Sequence, residues 1–246
     1  MKMTFRHVCG GLGDMLLSLE SAIQDRVIDI FSHFQNAPAF YQPLGVTINR
    51  CEYFSSLEEL GSLDRQGDPL PRTRYPKFNL PKAPIDPPSG KPIIGIHIEG
   101  SKFSNNAARS GGKPIKDMSP CFLDNLVDAL NSKWAFPYVF CSPAKYAEVS
   151  RIFREKYQHP FKVIAFEDIW ASLACVGHCR CVLATDSAIK TMAAILWIPS
   201  VVLVADYPDS FRDEIFLSPY VKDGLMRIVK YRDMDALNPR NIIESL

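Results

Sequence analysis

The chain has 246 residues, 47% of them hydrophobic and 22% charged, enough apolar material for one large domain or two small ones with real cores. Its formal net charge of +1 sets up no global field toward nucleic acid or an acidic membrane surface. Its most apolar run, Ala193 to Val204, is interrupted by Pro199, so no stretch reaches the length of a membrane span.

In chain order, residues Met1 to Val8 contain no secretory apolar region, and a soluble, cytoplasmic protein is expected. Thr4–Cys9 predicts a strand. Gly10-Gly11-Leu12-Gly13-Asp14 then leads into a helix whose apolar face includes Leu16, Leu19, Ile23 and Val27. A second strand is predicted at Val46–Ile48 and a short helix at Ser55–Leu60. These elements make a small Rossmann-like N-terminal domain over residues 1–67.

Eight prolines lie between Asp68 and Pro92. Each fixes φ and removes a backbone donor, so residues 68–92 predict an extended, semi-rigid linker. From 93 to 246 the pattern becomes regular. Apolar β-rich runs fall at Ile93–Ile98, Tyr138–Cys141, Lys162–Ala165, Cys181–Ala184, Ser200–Ala205 and Met226–Lys230. Helical stripes alternate with them: Phe122/Leu123/Leu126/Val127/Leu130, Val149/Ile152/Phe153, Ile169/Leu173/Val176 and Ile189/Met192/Ala193/Leu196. Alternating strands and helices predict right-handed βαβ units, an α/β fold with a parallel sheet, and ligands beyond the strands' carboxyl ends.

Seven cysteines in a chain this long favour free thiols in a reducing compartment. Cys175, Cys179 and Cys181 surround His178, but C-x3-C-x-C matches no common zinc pattern, and buried thiols are the expected state. No metal site is expected.

Three polar turns are candidates for chemistry. Thr185-Asp186-Ser187 follows a strand and precedes an apolar helical stripe, so one of them is an N-cap. A helix N-terminus there would offer unpaired amides and roughly half a positive charge to a diphosphate, with the small Ala188 admitting the ligand. The competing reading is a plain cap with Asp186 paired to Lys190. Gly10-Gly11-Leu12-Gly13-Asp14 is a glycine-rich turn, but neither G-x-G-x-x-G nor a P-loop; Asp14 is either a site acid or a first-turn acid. The polar segment after Ile98 carries Gly100 and Ser101 as phosphate donors and Lys102, Arg109, Lys113 and Lys116 as cations; a solvated loop is the alternative for any one lysine.

In order, the Gly-Gly-Leu-Gly-Asp turn, IGIHIEGS, KDMSPCFLDNLVDAL, YVFCSPAKYAEV and VLATDSAIKTMAAILWIPSVVLV resemble the ADP-heptose:lipopolysaccharide heptosyltransferase family, glycosyltransferase family nine. The resemblance spans nearly all of the second domain and the first helix of the first. It implies a GT-B-like fold of two Rossmann-like domains with parallel sheets, the N-terminal one reduced. It implies a nucleotide-sugar (NDP-sugar) donor as co-substrate, a saccharide or glycolipid acceptor, and no other cofactor. Asp14 maps to the proposed base, and Gly11 and Gly13, in its turn, to residues binding the NDP-sugar. Gly100, Ser101 and Lys116 map to diphosphate contacts. Glu167, in Phe166-Glu167-Asp168, would lie near nucleobase and ribose, and Thr185, Asp186, Ser187 and Ala188 at the nucleotide and transferred sugar.

Two departures bear on activity. Where the family has Asp-Ser/Thr-Gly-x-x-His, this chain has Ala188 and Thr191 in place of glycine and histidine, and its acceptor-side domain is small. The expected activity is metal-independent, inverting hexosyl or heptosyl transfer from an NDP-sugar to a hydroxyl. The alternatives are an NDP-sugar epimerase or hydrolase on the same frame, or a non-catalytic nucleotide-sugar-binding protein.

Overall fold

The computed structural model describes residues 5–9, 16, 26–32, 37–53, 83–88, 90–100, 117–133, 135–165, 168–206 and 220–246. The chain divides into two compact units, Met1–Phe78 and Asn79–Leu246. That boundary falls inside the proline-rich segment.

The first unit holds β1 (Phe5–Cys9), β2 (Val27–Ser32), α1 (Ala37–Tyr41) and β3 (Thr47–Tyr53), with the strands in the order β1-β2-β3 and all parallel. Ile28 and Ile30 are fully buried and bracket the half-buried Asp29, which accepts from Asn49 Nδ2 at 2.9 Å. The helical face expected to reach Val27 is corrected here, because Val27 opens β2. Arg26, at φ 61°, is in the left-handed region, where a right-handed helix cannot continue. Val27 falls on the i+4 spacing from Ile23, which is why a helical stripe absorbed it.

The second unit is built from β4 (Ile93–His97), α2 (Pro120–Asn131), β5 (Phe136–Phe140), α3 (Tyr146–Lys156), β6 (Lys162–Ile164), α4 (Ile169–Val176), β7 (Cys181–Thr185), α5 (Ala188–Ile195), β8 (Ser200–Ala205), β9 (Met226–Tyr231) and α6 (Pro239–Glu244). Its six strands are parallel throughout, in the order β6-β5-β4-β7-β8-β9. The apolar runs are continuous because both faces are covered; every residue of β7 and β8 is buried. On one face Ile94, Ile96, Val139, Leu183, Val201 and Leu203 share a core with Phe122, Leu126 and Leu130 of α2, Phe153 of α3 and Ile242 and Ile243 of α6. Each fully buried aliphatic side chain contributes about 1.5–3 kcal/mol relative to an exposed one.

Local signals set the helix starts. Ser119 Oγ accepts from Phe122 N–H at 3.0 Å with Pro120 at the first helical position, and Asp168 Oδ1 accepts from Trp170 N–H at 2.9 Å. Pro137 lies inside β5, a strand with neighbours on both sides. Phe136 N–H bonds Pro92 O on the β4 side, so the donor that Pro137 lacks falls on the β6 side, where pairing begins only at Tyr138.

The chain runs outward from β4 through β5 to β6, then crosses back to β7 on the other flank of β4. The winding therefore reverses between β4 and β7. In open α/β sheets the crevice at that reversal, beyond the carboxyl ends, receives ligands.

Candidate functional site at the sheet's switch point

The carboxyl ends of β4, β5 and β7 are joined by side-chain hydrogen bonds. Thr185, the last residue of β7, donates its hydroxyl to Glu99 O at 2.7 Å. The Glu99 carboxylate in turn accepts from Ser142, just past β5: from the hydroxyl at 2.8 Å and also from the backbone N–H. A buried carboxylate with two donors from one residue is well compensated. Gly100 N–H donates to Asp117 Oδ1 at 2.8 Å, and Met118 N–H to Ile98 O at 2.8 Å. These bonds bring the approach to α2 against the end of β4. Lys145, on the short turn Pro143–Lys145, holds Asp117 Oδ2 at 2.8 Å.

Across the switch point, β7 leads through Asp186 and Ser187 into α5. Asp186 and Lys190 form an ion pair and both are buried, so the first turn of α5 carries a compensated charge pair. Ser187 is the N-cap by position, at φ −154° and ψ 174°, but its side chain makes no capping hydrogen bond. The residue is only 8% exposed, and its Oγ is buried without a hydrogen-bond partner. A buried hydroxyl left unpaired costs about 1–3 kcal/mol, so its retention calls for an explanation. Here it stands beside helix amides that have no intrahelical acceptors. The plain-cap alternative is therefore divided: Asp186 does pair with Lys190, while the Ser187 hydroxyl does not cap.

Of the residues singled out from sequence, Gly100, Thr185, Asp186, Ser187 and Ala188 converge on this edge, with Ala188 opening α5. Gly11, Gly13, Asp14, Ser101, Lys116 and Glu167 lie outside the described residues. Glu99, Asp117, Ser142 and Lys145 were missed. Their signal was present, since Glu99 and Ser142 each directly follow the apolar run of a strand, where site residues concentrate in this class of sheet.

His97 ends β4. Burial pushes its imidazole down to about 4, with the charge of Asp117 raising it and that of Lys145 lowering it further. It is a neutral group near physiological pH, and its Nδ1 has no hydrogen-bond partner. On the same face of β4, a Cβ on Gly95 would lie 3.0 Å from Cys179 Sγ and from Val182 Cγ2, and 3.3 Å from Phe140 Cε2. Glycine is therefore the residue that lets the cysteine-bearing segment close on the sheet. Cys175, Cys179 and Cys181 are buried free thiols. Desolvation pushes Cys175 and Cys181 up to about 11 and Cys179 further, so these sulfurs stay protonated and chemically quiet. No helix among the described residues is long and apolar enough to cross a membrane.

No protein-family model matches the sequence. No curated protein matches it either. Solved structures do resemble the fold. E. coli ADP-heptose lipopolysaccharide heptosyltransferase II is similar at a TM-score of 0.61 and 14% identity, over 98% of this chain and 97% of that one. E. coli heptosyltransferase WaaC with ADP aligns at 0.55 and 8% identity, over 98% and 96%. The glycosyl transferase family 9 structure from Veillonella parvula aligns at 0.50 and 14%, over 89% of this chain and 65% of that one. The fold is of the GT-B type, α/β with parallel sheets, and its structural likeness is to heptosyltransferases of glycosyltransferase family nine.

Proposed function

We propose that the chain binds an NDP-sugar at the β4/β7 switch point and transfers the sugar to a hydroxyl acceptor. The observation that carries this reading is the buried, unpartnered Ser187 hydroxyl at the start of α5, on the carboxyl edge where the winding reverses. An anionic oxygen from the ligand would satisfy both the hydroxyl and the first-turn amides, with the helix dipole adding roughly half a positive charge. The GT-B fold supports the same reading, and it is shared by a protein named as an ADP-heptose lipopolysaccharide heptosyltransferase and by a heptosyltransferase solved with ADP.

In this account the diphosphate lies against Ser187 and Ala188, reaches Gly100 and Ser101, and is neutralised by Lys116 without a metal ion. Glu167 reads the ribose or nucleobase side. Asp14 takes the acceptor's proton as the new bond forms, a contribution of about 10²–10⁴-fold for general base catalysis, and the anomeric configuration inverts. A heptose is one candidate for the transferred sugar, and the acceptor is a saccharide or glycolipid. The protein works in the cytoplasm.

The experiment is a thermal-shift screen of nucleoside diphosphates and their sugars, followed by a transfer assay with the donor that stabilises most. A ligand at 100 times its dissociation constant raises stability by about 2.7 kcal/mol. If none of ADP, UDP, GDP, dTDP or their sugars shifts the melting point, the reading is wrong. A second reading, a nucleotide-sugar binder without turnover, is favoured by Ala188 and Thr191 at the positions of the family's glycine and histidine. It predicts the same shift with no transfer to any acceptor and no release of free sugar.

A further inference from the structure

One carboxylate in the second unit occupies two anion-binding donors at once. Asp117 Oδ1 takes the Gly100 amide at 2.8 Å, and Asp117 Oδ2 takes the Lys145 ammonium at 2.8 Å. Two oxygens of one anion, one on a backbone N–H past a strand end and one on a lysine, is how a bound phosphoryl group is held. Both donors belong to the edge already described. Gly100 follows Glu99, whose carbonyl is tied to Thr185 of β7, and Lys145 lies three residues past Ser142, which holds the Glu99 side chain.

We propose that the Gly100 amide and Lys145 form a phosphoryl subsite, and that Asp117 fills it as an internal anion which the ligand displaces. This rests on the nucleotide-sugar reading above, and it adds Lys145 as a binding residue and Asp117 as its competitor. Glu99 is not an equivalent partner for Lys145: its oxygens accept from Ser142, and it reaches the ammonium through its charge alone, without a hydrogen bond. With Asp117 in place Lys145 holds its proton: burial works against the ammonium, but the hydrogen bond and charge of Asp117, with Glu99 and Glu148, outweigh it and hold the group above the ordinary lysine range. Its side chain is about one third exposed, and that of Asp117 about one sixth, so exchanging the carboxylate for a phosphate oxygen requires no opening of the core. With Asp117 in place, its carboxylate neutralises the Lys145 ammonium. Moving that carboxylate aside leaves the ammonium and the Gly100 amide to an incoming anion.

The test is calorimetric binding of inorganic pyrophosphate and of ADP, UDP, GDP and dTDP to the full chain and three variants. Asp117→Asn should tighten pyrophosphate about fivefold, the upper range for a partly exposed ion pair. Lys145→Gln should weaken it about tenfold, as for a lost charge-assisted hydrogen bond. In Lys145→Gln/Asp117→Asn the gain should vanish, which a merely structural role for Asp117 would not produce. Asp117→Ser serves if the asparagine variant melts early, since it keeps a short acceptor for the Gly100 amide. Equal or weaker pyrophosphate binding by both Asp117 variants overturns the subsite, as does a gain that persists without Lys145. Wild-type binding of a nucleoside diphosphate that ignores Lys145→Gln overturns the subsite and leaves the nucleotide-sugar reading standing. Pyrophosphate binding that follows the predicted order, with no nucleoside diphosphate bound by any form, supports the subsite and sinks that reading. No binding of any probe by any form overturns both.

Discussion

Replacing Ser187 with alanine separates a ligand-binding hydroxyl from a helix cap by the sign of two effects. An N-cap serine that bonds its helix costs about 0.5–2 kcal/mol when changed to alanine. Ser187 makes no such bond, and its Oγ is buried and unsatisfied. Removing it relieves a desolvation penalty of about 1–3 kcal/mol and gives back part of that as a small void, so stability should stay level or rise by up to about 1 kcal/mol. In a chain this long that is a rise of roughly 2–4 °C in melting temperature. Binding should move the other way. A hydrogen bond to a charged group is worth about 1.5–3 kcal/mol, so affinity for the best nucleoside diphosphate should fall roughly 10- to 150-fold. Differential scanning calorimetry and titration calorimetry on the same preparations read both quantities. A loss of more than about 1 kcal/mol in stability with unchanged affinity would mark the hydroxyl as a cap and refute the reasoning.

Other perturbations test the frame around the site. Gly95→Ala should destabilise by about 1–3 kcal/mol in chemical denaturation, because its Cβ would sit 3.0 Å from Cys179 Sγ and Val182 Cγ2. Thr185→Val removes the 2.7 Å bond to Glu99 O, which should cost about 1–3 kcal/mol and weaken nucleotide binding by loosening the β4 and β7 ends together. His97 is held near 4 in the folded chain against 6.5 unfolded. The unfolded chain therefore binds the extra proton between those values, and stability is complete above pH 6.5 and lost as pH falls toward 4. Denaturation curves across that window should show a decline on the order of 3 kcal/mol that His97→Asn flattens. In the native state a thiol reagent should modify the exposed Cys121 and leave the buried Cys175, Cys179 and Cys181 untouched, read by mass spectrometry.

The second unit was legible in the sequence for a physical reason. Strands buried on both faces must be apolar throughout, and their covering helices must carry apolar stripes, so β8 and α2 announce themselves. The turn at Thr185-Asp186-Ser187 was legible because short polar residues between a strand and a helical stripe have few other uses. β2 was hidden because Val27 falls on a helical spacing, and only the left-handed φ at Arg26 separates the two periodicities. α6 was overlooked because a six-residue helix shows less than two turns of pattern; it is held by Ile242 and Ile243 against the core of α2. Within the site, Lys145 and Asp117 could not be paired from sequence. They are 28 residues apart and meet only because β5 lies beside β4.

The most direct test of the central claim is amide hydrogen exchange on the full chain with and without a saturating nucleoside diphosphate. Ligand at the switch point should protect the first-turn amides of α5, from Ala188 to Lys190, together with Gly100, while the far edge of the sheet around β9 stays unchanged. Protection confined elsewhere, with the amides after Ser187 exchanging as fast as in the free chain, would contradict the account.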